Sequence, residues 1–589
     1  MERIGIIILL SLFFGCTTNQ TTKKDLEGPA IRGWNILSDD TAKAIIALDQ
    51  AKNYRINHLQ ISHHLIMDLK DVRKADKLQK TRNLITEAHE QGIDKVLVWD
   101  HALYHLDYYP EQFKNAKGLL ILDNPDFWKW LKADYRSMLD SLPEADGIIL
   151  TFIETGARVE DQYSEKWKTP AEKLANLVDS LATVIIDERR MQLYIRTFIY
   201  SKKELEAVLG SINLVQHPGV RVMTKEVPHD FFLTHPVSDF ITEFNKDVII
   251  EFDLGHEYHG QGIIASILPE ITTNRWKYYS GQKNVIGYVA RTDRYGTTQN
   301  MGRPTELNLY ALKRISEDTS LNINTIIEEF IVMKYGHDAV DFLLPVFLET
   351  DDIIRSVIYT MGLHMNDHSR FEFDYPSIYT RHCSGKWLKN PVINLAHGID
   401  KEFHYWKEIV EHLSPARFKM KSRRDGKNTI LYDEAPWVIE NGWVTPEDKM
   451  NEDYLKHVVT EKKYGVEKAR WALQQVEKTE SIISDQDDYE MLLHLYERTY
   501  LTARLYLAGA RAYFGYRTYL NDPSNIKVKE IAAEGLEGLK TLSEEMKQYP
   551  DPGPTGQFSW IEDARRAMQL YNNITTGWDV YNNKKLEIH

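Results

Sequence analysis

Cysteine is almost absent from this chain of 589 residues, since only Cys16 and Cys383 occur. One of the two lies in the apolar N-terminal leader, so a disulfide framework is excluded. An excess of positive charge is also lacking, because the formal net charge is −14. Nucleic acid is therefore not an expected partner, since its phosphates demand a basic surface. An acidic protein can still bind an anionic sugar through one local Arg or Lys.

Long apolar runs are missing as well, and the one at residues 4–14 is too short to cross a bilayer as a helix. Arg3 precedes this run, and Gly15, Cys16 and a polar stretch follow it. The pattern resembles a bacterial lipoprotein signal. It predicts a signal peptide at 1–15, a palmitoylated or otherwise lipidated Cys16 and a tether at 16–29. The protein is then expected at the cell envelope, held in the outer membrane and facing the periplasm or the surface. Plain secretion is the alternative.

Short apolar, β-rich runs alternate with helical patterns between residue 30 and about residue 300. Continuous apolar runs are typical of parallel strands buried on both faces. Eight such units predict an α/β fold, a (β/α)8 TIM barrel, over residues 30–345. An open doubly wound sheet is the alternative, but no glycine-rich phosphate loop follows the first run. The eight runs are 31–36, 58–66, 95–100, 147–153, 192–199, 220–224, 248–253 and 285–290.

The pattern changes to long helices after about residue 345. Apolar residues at steps of three and four mark one stripe of a long helix between Leu492 and Phe514. We therefore expect a mainly α-helical C-terminal domain at 346–589. Its stripe could form a homodimer or could pack within the chain.

Three acidic residues follow the predicted strands 4, 6 and 7, namely Glu154, Asp230 and Glu257. In a barrel these strand ends form the face that carries the active site. Carboxylates placed around the mouth suit cleavage of a glycosidic bond, in which one donates a proton and another activates water or attacks. Taken singly, each could equally be an ion-pair partner or a helix cap.

Other residues near the strand ends are candidate substrate contacts. Their side chains offer a charge, a hydrogen bond or an aromatic face to a sugar, although large cores use aromatic rings too. These candidates are Arg196, Trp34, Trp99, His256 and Tyr258.

Two segments resemble the xylan α-glucuronidase family, whose members are inverting glycosidases that remove a uronic acid. Residues 249–261, IIEFDLGHEYHGQ, are similar to the family stretch MEFQITQEYTGQ, and residues 225–231, KEVPHDF, are similar to KNGPIDF. The resemblance implies that Glu257 and Asp230 are the carboxylates of the base. It also implies that Lys225 holds the carboxylate of the sugar.

The resemblance extends over residues 147–330 and places two more roles. It implies that Glu154, in the segment FIE, is the general acid, and that Arg196, in YIRTF, contacts the uronate. The family carries a Lys four residues before the acid, where this chain has Leu150. The implied substrate is a uronic-acid-containing oligosaccharide or polysaccharide, with no cofactor.

Three other readings of these residues remain. Several histidines near the strand ends could suggest a metal, but no H-E-x-x-H spacing occurs, so no metal site is predicted. The same residues could instead serve a dehydratase or lyase, in which a neutralised uronate loses its C5 proton and the group at C4. A surface-tethered lipoprotein that only binds glycans is the third reading.

Overall fold

The computed structural model describes most of the barrel and of the helical part. The described residues are 28–152, 155–197, 202–227, 230–233, 237–294, 299–360, 363–364, 368–371, 421–424, 430–434, 438–439, 442–443, 451–549, 560–579 and 584–585. The predicted signal peptide, Cys16 and Glu154 lie outside these residues, as does all but the end of the predicted tether.

Eight parallel strands close into a barrel in chain order, and β8 pairs with β1. The predicted (β/α)8 barrel is therefore confirmed. Most strands end within one or two residues of the prediction, whereas β2 ends at Ile61 rather than 66. The strands are β1 Ile31–Ile36, β2 His58–Ile61, β3 Lys95–His101, β4 Gly147–Thr151, β5 Gln192–Thr197, β6 Val220–Lys225, β7 Val248–Phe252 and β8 Val285–Arg291.

Successive side chains of each strand point in turn into the barrel and out to the helices. The interior is filled by the apolar residues Leu97, Trp99, Ile149, Tyr194, Met223, Ile249 and Val289. Two residues further along four of these strands, the interior positions become charged. They are Arg196, Lys225, Glu251 and Arg291. The alternation thus delivers four charged groups to the C-terminal mouth of the barrel.

Helices surround the barrel after most strands. The residues described between β6 and β7 form a 3₁₀ helix, Asp239–Glu243, and no α-helix. Local sequence explains where the helix at Pro170 begins: Thr169, directly before it, and Glu172, in its first turn, form a reciprocal capping box. The helices are α1 Thr41–Leu48, α2 Ala75–Glu90, α3 Pro125–Asp140, α4 Pro170–Ala182, α5 Lys202–Leu214, α6 Pro269–Ser280 and α7 Glu306–Glu317.

Among the described residues, a layer of six further helices follows, as the sequence predicts for the C-terminal part. They are α8 Ile323–Tyr335, α9 Val340–Ile358, α10 Glu452–Glu477, α11 Gln486–Asn521, α12 Ile526–Lys547 and α13 Trp560–Thr575. Short strands form the pairs β9 Tyr359–Thr360 with β10 Leu363–His364, β11 Lys421–Arg424 with β12 Ile430–Glu434, β13 Val438–Ile439 with β14 Gly442–Trp443, and β15 Trp578–Asp579 with β16 Lys584–Lys585. Across the described part of the chain, no helix has the length and apolar character to cross a membrane.

The helical layer shares one apolar core with the loops at the barrel mouth. Side chains of α8 to α13 pack in this core together with Val227, Phe231 and Tyr258 from the ends of β6 and β7. The helix α9 also runs across residue 345, where the sequence-based division was placed. The helices therefore lie directly against the loops that carry two of the predicted carboxylates.

Candidate active site

A continuous ion network crosses the barrel mouth between β5, β7 and β8. The guanidinium of Arg196 donates to Glu251 at 2.7 Å. Arg291 donates to the same carboxylate from Nε at 3.0 Å and to Glu257 from Nη1 at 3.0 Å. All four side chains are buried. Burial acts to raise the pKa of Glu251, but Arg196 and Arg291 outweigh it and lower that pKa.

Glu257 receives two more donors besides Arg291. Arg294 donates to its Oε1 at 2.8 Å, and the Nε2 of His368 lies 2.9 Å from the same oxygen. Burial alone would raise the pKa of Glu257, but Arg294, His368 and Arg291 together hold it well below its usual range. Glu257 is therefore held as a carboxylate at neutral pH.

Asp230, in the loop after β6, is held by a cation at the end of that same strand. The ammonium of Lys225 donates to Oδ1 at 2.7 Å, the backbone N–H of Phe231 donates to the same oxygen at 3.1 Å, and the hydroxyl of Tyr258 donates to Oδ2 at 2.6 Å. Burial lowers the pKa of Lys225, whereas Asp230 acts to raise it. The lysine and the carboxylate thus depend on each other in a site shielded from water.

One stacked ring pair joins the two carboxylates. The ring of Tyr258 lies parallel to that of His368, with 5.6 Å between centroids and 10° between planes. Tyr258 binds Asp230 through its hydroxyl, while His368 binds Glu257 through Nε2. Asp230 and Glu257 therefore belong to one site, as their strand ends predicted.

The loop after β7 is tightly wound. His256 and Gln261 adopt left-handed backbone angles, with φ of 54° and 53°, which side chains larger than glycine rarely do. The backbone N–H of Glu257 donates to Asp253 at 2.7 Å. Burial raises the pKa of Asp253 to about 7, with Arg291 opposing and Glu257 adding to the rise. The turn is thus fastened at its start by an acid that titrates near neutrality.

The helical layer holds this loop from the other side. The hydroxyl of Tyr359, just after α9, accepts the N–H of Leu233 at 2.9 Å and donates to the carbonyl of Tyr258 at 3.0 Å. Lys462 of α10 is buried and donates to the carbonyls of Ser356 and Tyr359. Residues outside the barrel therefore fix the positions of both mouth loops.

Two of the predicted aromatic contacts lie away from the mouth or beneath it. Trp34 is only 1% exposed and packs against Tyr54 at 5.4 Å, in the layer between strands and helices. Its place on β1 makes it face outward, so it does not line the mouth. Trp99 points inward but is also buried, with the guanidinium of Arg196 4.5 Å from its ring centre. It supports Arg196 from below.

Two further positions from the sequence analysis, His256 and Leu150, are also buried. His256 is buried beside His259, with ring centres 5.3 Å apart, and burial lowers its pKa to about 3. Leu150, where the α-glucuronidase family has a Lys, belongs to the apolar layer between strands and helices. A cation at that position would point away from the mouth, so the cations of this site must come from other strands.

The site contains residues that the sequence analysis did not select. Glu251 and Arg291 could have been found from the alternation, because each stands two residues beyond an interior apolar position, whereas Arg294 lies past the end of β8 and outside that alternation. His368 could not, because it lies 111 positions after Glu257 along the chain. Only the packing of the helical layer brings it to the mouth.

The end of β3 carries a second polar group with a structural role. Asp100 points toward the helices and accepts hydrogen bonds from Tyr135 at 2.5 Å, Tyr104 at 2.9 Å and the N–H of Leu69 at 2.8 Å. His101 directs Nδ1 to Asp68, at 2.9 Å. In the described part of the chain, no group of three or more His, Cys, Asp or Glu residues could hold a metal ion.

The arrangement has a definite chemical capacity. Two carboxyl groups held by cations in a buried site can serve to accept a proton from water or from a carbon acid. Lys225 and the arginines Arg196 and Arg291 are suited to bind an anionic group, since charge-assisted bonds are strong where water is excluded.

Neither a family model nor a curated protein matches the chain. Among solved structures, it is similar to a GH138 enzyme targeting pectin rhamnogalacturonan II, with a TM-score of 0.58 and 11% identity over 93% of this chain and 84% of that one. A GH115 4-O-methyl-α-glucuronidase with specificity for decorated arabinogalactans gives 0.46 and 11%, over 92% of this chain and 62% of that one. An O-GlcNAc hydrolase mutant of Thermobaculum terrenum gives 0.43 and 10%, over 93% and 94%. At these identities the likeness shows the fold.

Replacing Arg291 with Met should destabilise the protein strongly. The change leaves Glu251 and Glu257 buried with one donor fewer each, and breaking a buried ion pair costs about 3–5 kcal/mol. Urea unfolding followed by circular dichroism measures the loss. The matched control is Arg136→Met, which removes an ion pair to Glu188 in which both side chains are about 40% exposed and should cost at most about 1 kcal/mol. Equal losses for the two variants would show that the buried network contributes nothing special.

Asp253→Asn should stabilise the protein increasingly as the pH rises. Asp253 has a folded pKa of about 7, above the unfolded value of about 3.9. The folded state therefore holds its proton more tightly, and the wild type loses stability as the pH rises through this window, by up to about 1.4 kcal/mol per pH unit. Asn has no proton to lose. Unfolding free energies of both proteins between pH 4 and 8 test this, and a difference that stays constant across the range would contradict it.

Proposed function

We propose that this protein is a carbohydrate-active enzyme, a glycosidase that releases a uronic acid from an oligosaccharide or polysaccharide. One observation carries the proposal: Asp230 and Glu257 are held together in a buried site among cations suited to a sugar carboxylate. A glycan-binding protein would need rings and amides, and would not need two buried carboxyl groups held by cations.

The residues divide naturally between the two tasks of an inverting hydrolase. Asp230 and Glu257 would hold the attacking water and accept its proton. Glu154, at the end of β4 and outside the described residues, is proposed as the acid that protonates the leaving oxygen. Lys225 and Arg196 would bind the carboxylate of the uronic acid. No step requires a cofactor.

Two independent likenesses support this proposal. The motifs around Lys225, Asp230 and Glu257 resemble those of the xylan α-glucuronidases. In the structure Lys225 contacts Asp230 directly, and Tyr258 and His368 link Asp230 to Glu257. The fold is similar to that of a GH138 enzyme targeting pectin rhamnogalacturonan II.

The setting is proposed from the N-terminus. A lipid on Cys16 would hold the enzyme at the bacterial cell envelope, where it would meet glycans that enter from outside. The helical layer is also proposed as a surface for homodimer formation.

Elimination is the second candidate reaction at the same site. The cations beside Asp230 and Glu257 could neutralise a uronate, which makes its C5 proton more acidic, and a nearby carboxylate could then remove that proton. Leu150 stands where the α-glucuronidase family has a Lys, and its side chain points away from the mouth. The cations that would bind a uronate are therefore arranged differently here, which supports elimination as a second candidate. The product would be a 4,5-unsaturated uronic acid.

Incubation with defined uronic-acid oligosaccharides and mass analysis of the products tests the reaction. A glycosidase releases free uronic acid, whereas elimination gives a product that absorbs in the ultraviolet. Glu257→Gln and Asp230→Asn should each reduce turnover by about 10²–10⁴-fold, while Glu111→Gln on the surface should not. Ultraviolet-absorbing product without free uronic acid would replace hydrolysis by elimination, and no change in any oligosaccharide would reject both.

Lys225→Met should weaken binding of uronic-acid sugars by about 10- to 100-fold, because it deletes a buried charge-assisted bond to the carboxylate. Neutral sugars of the same size should bind as before. Competition assays with both kinds of sugar measure the ratio, and Lys129→Met, which changes an exposed lysine, is the control. Equal weakening of both sugars would assign Lys225 a structural role.

A further inference from the structure

We infer that His368 is a positioning residue of this active site, delivered from outside the barrel to orient Glu257 as a carboxylate. The inference rests on the proposed function and deepens it. His368 lies beyond α9, in the part of the chain that follows the barrel. A barrel site would thus be completed by a residue that no barrel strand or βα loop supplies.

The contact with Glu257 is direct. Nε2 of His368 is 2.9 Å from Oε1 of Glu257, and Arg294 approaches the same oxygen at 2.8 Å. Oε2 accepts from Arg291 at 3.0 Å. His368 therefore adds a second contact at Oε1 to the one arginine donor that each carboxylate oxygen has, and so helps to hold the orientation of the carboxylate.

The next residue, Ser369, binds the backbone of the same loop with its side chain. The hydroxyl of Ser369 donates to the carbonyl of Glu257 at 2.9 Å and accepts the N–H of Gly260 at 2.8 Å. The ring of His368 meanwhile stacks on Tyr258. Residues 368 and 369 thus hold the carboxylate, the ring and the backbone of one short turn, which is more than a chance surface contact provides.

Several other charged or titratable side chains surround Glu257. Arg291 comes from β8, Arg294 follows it, and Asp253 lies at the start of the same turn. His63, after β2, is also close enough to interact with Glu257 and with the two arginines. The arginines stay charged at all ordinary pH values, and burial, together with Arg294 and Arg291, holds the pKa of His63 well below its usual range.

His368 acts on Glu257 in the same direction as Arg294 and Arg291. Its contact lowers the pKa of Glu257, so its removal should raise that pKa and leave more of the residue protonated in acid. A protonated Glu257 cannot accept a proton from water. The acid limb of the pH profile should consequently move to higher pH when His368 is replaced.

The test compares His368→Phe, His368→Gln and a control in the full-length protein. The acid limb of kcat/KM should move up by about one pH unit for the Phe variant and by less for the Gln variant, whose amide can still donate. His337→Phe removes a histidine that is 84% exposed and should change nothing. A lower rate at every pH without any shift of the limb would overturn the inference, because a merely structural role predicts that result.

A double-mutant cycle tests the same pairing without activity. His368→Gln, Glu257→Gln and the double variant are compared by melting temperature. If the two side chains act together, the double variant should lose less than the sum of the single losses. Additive losses would overturn the inference. If no uronic acid substrate is turned over by the wild type, the proposed function fails, and the cycle still decides whether His368 holds Glu257.

Discussion

This site depends on the ion pairs that the guanidinium of Arg291 makes. This guanidinium binds Glu251 on one side and Glu257 on the other, at the mouth of a barrel from which water is largely excluded. Buried charges of this kind are tolerated only when each has well-placed partners. Arg196 completes the set around Glu251. The barrel interior therefore supplies one of the contacts that fix Glu257, while Arg294 and His368 supply the others.

The helical layer contributes a second set of constraints, and these act on the loops instead of the strands. Tyr359 joins the loops after β6 and β7 through one hydroxyl group, and Lys462 anchors Tyr359 by its carbonyl. Thr499 of α11 accepts the N–H of Ala265 in the same region, at 2.8 Å. The barrel and the helices thus form one mechanical unit, in which the helices fix the parts of the site that the strands leave open.

Sequence periodicity was sufficient for the strands and for most of the charged mouth. Side chains alternate between the outside and the inside of each strand, which places Trp34 outside and Arg196 inside. The same alternation excludes Trp34 from the mouth and predicts Arg291 there. Composition and spacing contain no comparable signal for His368. Its position depends on how α9 packs against the barrel, which is a long-range property of the fold and leaves no local pattern in the chain.

The pairing of Lys225 with Asp230 has a consequence for the proposed reaction. A uronate that bound Lys225 would compete with Asp230 for the same ammonium group, which now lies 2.7 Å from its Oδ1. Weakening that bond would leave Oδ1 of Asp230 with one charged donor fewer, so that this oxygen could accept a proton more readily. Binding of an acidic sugar would then activate the group that must accept the proton, while a neutral sugar would leave Asp230 tied to its lysine. Selectivity for uronic acids would in this way arise from the chemistry as well as from binding.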